Sequence, residues 1–337
     1  MSLLYGITLP QKGLKFKTCN ISSQGVLGIR GDDMREKSMT AIVSAFARAH
    51  HSENNDVKIF DDILAKLLLG NDYQQVAGHM LAGIEFFNPT FQGDKDEALR
   101  WIVDNYLAPS PLGRAAFTER ALESAVRLGT TQYLIFAAGY DSFAYRRPAW
   151  ANELSVFEID HPATAEDKQI RLKKAEITIP NRTYYLTADF LQTDWSKCFR
   201  ESPNYSPACI SFCSLLGISY YLPADRFREL LMNISQIIPK GSKIAFDYPD
   251  EKSYTEQAGE RAEKQAMLAS SANETMLASY SYSDMENLLD ACGFSIAEHL
   301  TPDQITSGFF SAYNEANPMH AMSAFDSVNY CLAVKKH

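Results

Sequence analysis

From Gln132 to the C-terminus the chain alternates short runs rich in apolar β-formers with segments of helical length, and few folds accommodate that alternation. The runs are QYLIFAA, LSVFEID, RTYYLTADF, ACISFCSLL and SKIAFDY, followed by FSIAEHL and NYCLAVKK near the end. Parallel neighbours need a crossover of about a dozen residues or more, so strands spaced this way predict a parallel sheet with helices on both faces. Seven runs predict a seven-stranded, Rossmann-like α/β sheet.

The residues ahead of this pattern read differently. SMTAIVSAFARAHH, DDILAKLLLG with Gly70 as a stop, EALRWIVDNYL before Pro109, and residues 114–128 ending at Gly129 all carry helical periodicity. The expected organisation is an N-terminal helical extension over residues 1–130, packing on a core at 131–337. A further segment at about 250–281, rich in Ala, Glu and Met, is too long for a strand-to-helix loop and is expected to cap one end of the sheet.

In an open parallel sheet, ligands gather at the carboxyl ends of the strands, where the strand order reverses. The first strand ends in Ala137-Ala138-Gly139-Tyr140-Asp141, and the second ends in Asp160, 21 residues beyond Gly139. Gly139 admits a positive φ and lets a ligand approach the backbone. A carboxylate at Asp160 suits the hydroxyls of a ribose. Two adenosine-bearing ligands, NAD and S-adenosylmethionine, fit that description. A dinucleotide site wants GxGxxG, and the corresponding positions here are Ala137, Gly139 and Ser142. Asp141 would repel a pyrophosphate yet tolerates the cationic amino end of a methionine, which favours the methyl donor. The third strand ends in TADF, where Asp189 can accept from an adenine amine and Phe190 can pack on the base. A lone Asp at a strand end also serves as a helix N-cap.

Composition narrows the partners. With 32 basic against 41 acidic residues, a net charge of −9 gives no general attraction to nucleic acid or an anionic bilayer. The opening residues lack the pattern of a signal peptide, and no stretch approaches a membrane span, so a cytoplasmic protein is expected. The six cysteines form no CxxC pair, and no metal is expected. Lys168, Arg171, Lys173 and Lys174, behind Glu166 and Asp167, have the spacing of a solvated helix face.

YLIFAAGYDSFAYRR, VFEIDHPATAEDK and LTADF together resemble the motifs of the class I S-adenosylmethionine methyltransferases in the leucine carboxyl methyltransferase family, which includes tetracenomycin-type polyketide O-methyltransferases. SMTAIVSAFARAHH, KIFDDILAKLLLG, YLAPSPLGRAAFTERAL, LLDACGF and NYCLAVKK extend the likeness over nearly the whole chain. The resemblance implies S-adenosylmethionine as donor and S-adenosylhomocysteine as product. It places Arg114 at the methionine carboxylate, Ala138, Gly139 and Asp141 along the methionine end, Asp160 at the ribose, and Asp189 with Phe190 at the adenine. The sequence departs from the family pattern at Ala137, where Gly is usual, and at Leu216, where the fourth strand of the leucine methyltransferases ends in an acid.

Methyl transfer to oxygen is an in-line displacement that needs positioning more than a metal. The acceptor is expected to be a carboxylate or hydroxyl of a small polyketide-like or other secondary metabolite. A protein or peptide C-terminal carboxylate, and a catalytically silent adenosine-binding protein, are the alternatives. His161, between Asp160 and Pro162, reads as a turn residue rather than a base. Tyr220 and Tyr221, after the fourth strand, are the candidates for orienting the acceptor, one of them facing it and the other in the core. GIEFFNPTF, Met267 and Met276 are expected to supply apolar surface to its pocket. Oligomeric state is not encoded in any of these features.

Overall fold

The computed structural model describes residues 38–337 except 191, 193, 256, 272–275 and 277; the N-terminal stretch read above, with Cys19, lies outside the described residues. All seven runs are strands: β1 (Gln132–Phe136), β2 (Ser155–Asp160), β3 (Thr183–Thr187), β4 (Ser211–Leu215), β5 (Lys243–Pro249), β6 (Phe294–Leu300) and β7 (Val328–Lys335). They form one sheet in the order β3-β2-β1-β4-β5-β7-β6. Strands β1 to β5 pair in parallel, with Phe136 opposite Ile159 on one side and Leu215 on the other. Strand β7 corrects the all-parallel expectation, because it returns antiparallel between β5 and β6 and fills the gap left by the preceding crossover.

Ahead of the sheet stand α1 (Met39–Asn54), α2 (Ala65–Leu69), α3 (Asp72–Ala82), α4 (Ile84–Phe87), α5 (Lys95–Ile102), a π-helical turn (Val103–Leu107) and α6 (Pro109–Arg127). Ser38 caps α1 by accepting from the Ala41 amide, and Pro109 opens α6, where a missing N–H costs nothing. Crossovers carry α7 (Phe143–Arg146), α8 (Pro162–Lys174), α9 (Lys197–Glu201) and α10 (Ala224–Ile237). Helices α11 (Gly259–Ser271) and α12 (Tyr282–Ala291) lie between β5 and β6. Before β7 come α13 (Pro302–Ile305), a second π-helical turn (Thr306–Phe310) and α14 (Ser311–Ala316). Among the described residues no helix is long and apolar enough to cross a membrane.

Strand alternation divides the interior into two cores. Tyr133, Ile135, Phe212 and Ala245 face α1, α5 and α6, while Leu134, Phe136, Cys213, Ile244 and Phe246 face α9, α10 and α12. The α8 cations correct the expected solvated face. Lys168 is buried in an ion pair with Glu158 at 2.8 Å. Arg171 pairs with Asp167 at 2.5 Å and with Asp72, bonds the Leu68 and Leu69 carbonyls, and lies over the Tyr140 ring. Lys173 and Lys174 are exposed. Helical spacing marks a polar face equally well whether water or a neighbouring acidic surface covers it, and here α2 and α3 cover part of it.

Candidate active site

A cavity of about 320 Å³ opens at the carboxyl ends of β1, β2 and β4, and α1, α6, α11 and the first π-helical turn contribute to its wall. This is the crevice expected where connections from β1 and β4 leave in opposite directions. The turn after β1 forms part of it. Gly139 has φ +48°, and a Cβ there would come within 3.1 Å of the Ala41 methyl. Its amide donates to Asp160 Oδ2 at 2.6 Å, while Oδ1 accepts from the His161 amide at 2.7 Å. Burial raises the Asp160 pKa, and the two backbone donors oppose that. Each carboxylate oxygen retains a further lone pair. Asp141 lines the same turn and accepts from the Phe143 amide at 2.8 Å, so it also starts α7.

Arg114 projects from the second turn of α6. Its Nη1 donates to Asp247 Oδ2 at 3.2 Å, and Nη2 lies 3.4 Å from Ser44 Oγ. Burial acts to lower the guanidinium pKa, but Asp247 and Tyr220 outweigh it and the net shift is upward. Asp247 comes from β5, on the strand face shared with Ala245 and turned to α6. Its Oδ1 accepts from the Gly217 amide at 2.7 Å, and Oδ2 also accepts from Tyr220 at 3.0 Å. Gly217 has φ +69°, and any Cβ there would collide with the Arg114 guanidinium.

A second charged group holds the turn from behind. Arg48 pairs with Asp62 at 2.8 Å and donates to the Tyr140 carbonyl at 2.8 Å. Ser142 donates to Asp62 at 2.5 Å, and Arg146 links Ser142 to Glu119. Burial alone would raise the Asp62 pKa, but the two guanidiniums hold it below the usual carboxylate range.

The profile of the leucine carboxyl methyltransferase family matches residues 41–235. The chain belongs to this family. A Bacillus subtilis (strain 168) protein named "Putative S-adenosyl-L-methionine-dependent methyltransferase YktD" is 38% identical over 308 residues, covering 89% of this chain and 99% of that protein. Two solved structures share the fold. A DUF574 family protein from Streptomyces avermitilis MA-4680 has a TM-score of 0.54 at 11% identity, covering 87% of this chain and 97% of its own. A protein from Thermobifida fusca YX, described as a "putative methyltransferase", has a TM-score of 0.53 at 13% identity, covering 90% and 97%. Membership in the family makes the chain a methyltransferase whose methyl donor is S-adenosylmethionine.

Within this family fold, the structure gathers Arg114, Ala138, Gly139, Asp141, Asp160, Tyr220 and Tyr221 around one cavity. Asp189 and Phe190 follow β3 and are not among its lining residues; Phe190 packs against Phe136 and Trp195. Both tyrosines line the cavity because residues 216–221 form turns, not the extended segment in which neighbours face opposite ways. His161 caps α8, accepting from the Ala163 amide at 3.4 Å. Ala137 has φ +51°, a left-handed conformation that explains why glycine is usual there. Leu216 lines the cavity where the family acid is missing. Sequence reasoning missed Asp247, Gly217 and the Arg48–Asp62 pair. Asp247 left one signal, an acid inside the otherwise apolar run IAFDY. Met276 lines the cavity as expected, but Met267 is exposed and the GIEFFNPTF aromatics pack elsewhere, Phe87 against Tyr106 and Phe91 against Trp101.

Proposed function

We propose that the protein transfers a methyl group to an oxygen of a small molecule, and that a carboxylate is the reacting group. The observation that carries this reading is the ionisable lining of the cavity. Among its described residues there is no His, Lys or Glu, and its carboxylates are committed: Asp62 to Arg48, Asp141 to α7 and Asp160 to two backbone amides. The lining thus offers no imidazole, amine or glutamate as a general base. A carboxylate with a pKa near ~4 is already ionised at neutral pH and needs no base.

The residues present fit the donor. Arg114 offers a guanidinium to a carboxylate. The Gly139 turn lets a ligand approach the backbone, and Asp160 keeps acceptor capacity for ribose hydroxyls. Asp189 and Phe190 are the proposed adenine contacts. When bound, S-adenosylmethionine would supply an electrophilic methyl carbon on a sulfonium that keeps the C–S electron pair on leaving, so an ionised acceptor oxygen would need no proton removed. The protein's part is to hold donor and acceptor in line and to exclude water.

Thermal shift and calorimetry with S-adenosylmethionine, S-adenosylhomocysteine and NAD test the donor site; the first two are expected to bind and NAD is not. Radiolabelled transfer to small organic acids then tests the acceptor. A single-turnover rate flat across roughly pH 6 to 9 supports a carboxylate, and one rising about tenfold per pH unit overturns it in favour of a phenol.

A further inference from the structure

The cavity wall has two chemically different parts. Its charged lining residues include three guanidiniums, and each is matched inside the protein: Arg48 with Asp62, Arg114 with Asp247, Arg146 with Glu119. The part under α11 is lined by Tyr106, Leu107, Gln265, Leu268 and Met276, which carry no formal charge.

The placement of α11 follows from backbone chemistry. Arg261, Lys264, Gln265 and Leu268 are spaced i, i+3, i+4, i+7 and share one helix face. Three of them donate to main-chain carbonyls: Arg261 Nε to Asn105 at 3.0 Å, Lys264 Nζ to Phe87 at 2.8 Å, and Gln265 Nε2 to Tyr106 at 3.1 Å. Pro109 has no N–H to return to Asn105 four residues earlier, so that carbonyl needs an outside donor, and Arg261 supplies it. Three main-chain carbonyls thus fix the helix. Gln265 and Leu268 are then the α11 side chains that meet whatever enters.

We propose that the space under α11 is the acceptor subsite and that it takes a predominantly apolar small acid. An aromatic or aliphatic body lies against Tyr106, Leu107, Leu268 and Met276, and Gln265 reads a hydroxyl on it. One N–H of the Gln265 amide goes to Tyr106, which leaves its oxygen to accept and its second N–H to donate. No cation in this wall competes for the acceptor's carboxylate. A peptide tail fits poorly, because each buried amide needs a partner and this wall offers few. The inference rests on the methyltransferase reading above and names the class of its acceptor.

The test uses the full chain loaded with S-adenosylhomocysteine, and calorimetry with naphthoate, a hydroxynaphthoate, decanoate and a tripeptide ending in a leucine carboxylate. Naphthoate and decanoate are expected to bind saturably and the tripeptide is not. Leu268→Asp is expected to weaken both apolar acids by about tenfold or more, since it puts a charge against an apolar body. Gln265→Leu is expected to erase the preference for hydroxynaphthoate over naphthoate. Unchanged S-adenosylhomocysteine affinity in each variant confirms the fold, and Gln265→Leu keeps the test decisive if Leu268→Asp misfolds. If wild-type protein fails to bind S-adenosylhomocysteine, the function itself is wrong. If it binds but naphthoate and decanoate do not, or the tripeptide binds more tightly, the subsite proposal is overturned.

Discussion

Each oxygen of Asp247 serves a different piece of the site: Oδ1 takes the Gly217 amide, and Oδ2 takes both Tyr220 and Arg114. A guanidinium held on a buried carboxylate is preorganised, so less side-chain entropy is lost when it meets a ligand carboxylate. Asp247→Asn keeps the shape and removes the charge. It is expected to weaken S-adenosylmethionine binding by about two- to tenfold, because the ligand must then order the guanidinium at a cost of roughly 0.5 to 1.5 kcal/mol. Asp160→Ala is expected to cost as much or more, because the proposed ribose contact and the Gly139 anchor go together. Calorimetry against Lys174→Ala, an exposed residue of α8, checks both; equal affinities in all three would remove these carboxylates from the site. Arg171 cannot serve as that control, since it packs over the Tyr140 ring of the turn after β1. Ala137 makes the converse case. A left-handed alanine costs about 1 to 2 kcal/mol, and the entropy glycine gains on unfolding returns roughly 0.4 to 1 of that, so Ala137→Gly is expected to stabilise by about 0.5 kcal/mol. A lower urea midpoint for the glycine variant would contradict that strain.

Elements were legible from the sequence where local pattern determines them and obscure where tertiary context does. The seven strands and α1, α5 and α6 announce themselves through periodicity, caps and Pro109. The direction of β7 does not, because strand period is the same whichever way a strand runs. Burial of Lys168 and Arg171 escaped for a related reason: it depends on Glu158 from β2 and Asp72 from α3, far away in the chain. Of the site, the turn at Gly139 and Asp160 was readable because it lies at strand ends, whereas Asp247 and Gly217 meet Arg114 only after folding. The mode of attachment of α11 was equally invisible, and it has a measurable consequence. Arg261 bonds Asn105 and the Ser323 carbonyl and lies 4.4 Å from the centre of the Phe325 ring. Arg261→Ala is expected to lower amide-exchange protection across residues 259–271 by about tenfold or more while leaving β1 and β4 unchanged, since local opening is governed by local contacts. Uniform loss of protection would mean that α11 is not an independently opening unit.

At the scale of the whole molecule, the helical layer over the first core carries titrating groups that set how stability responds to acid. Burial, with Arg100 nearby, lowers the His50 pKa to about 4; burial, with His50 nearby, does the same for His51. His51 Nε2 accepts from the Ile59 amide at 3.0 Å, a bond that protonation destroys. Below an unfolded pKa of about 6.5 the unfolded chain takes up protons that both native imidazoles refuse, so each group's contribution is present above that pH and is lost as pH falls toward 4. Asp104 has the opposite sign. Burial pushes its pKa up to about 7 against the opposing Arg100, so the native state holds a proton that the unfolded carboxylate, with a pKa near ~3.9, releases. Its contribution is present below that unfolded value and is lost as pH rises through 7. Between about pH 4.5 and 6 the two histidines thus make stability rise with pH by about two protons' worth, and Asp104 cancels about one. Glu119, Glu158 and Asp160 are also shifted upward by burial, so the prediction concerns differences between variants. Asp104→Asn is expected to steepen the slope of unfolding free energy against pH by about 1.4 kcal/mol per pH unit, and His51→Gln to flatten it by the same amount. Urea titrations at several pH values in that window measure both slopes. Parallel lines for wild type and Asp104→Asn would mean that Asp104 is ionised in the native protein, and the cancellation would vanish with it.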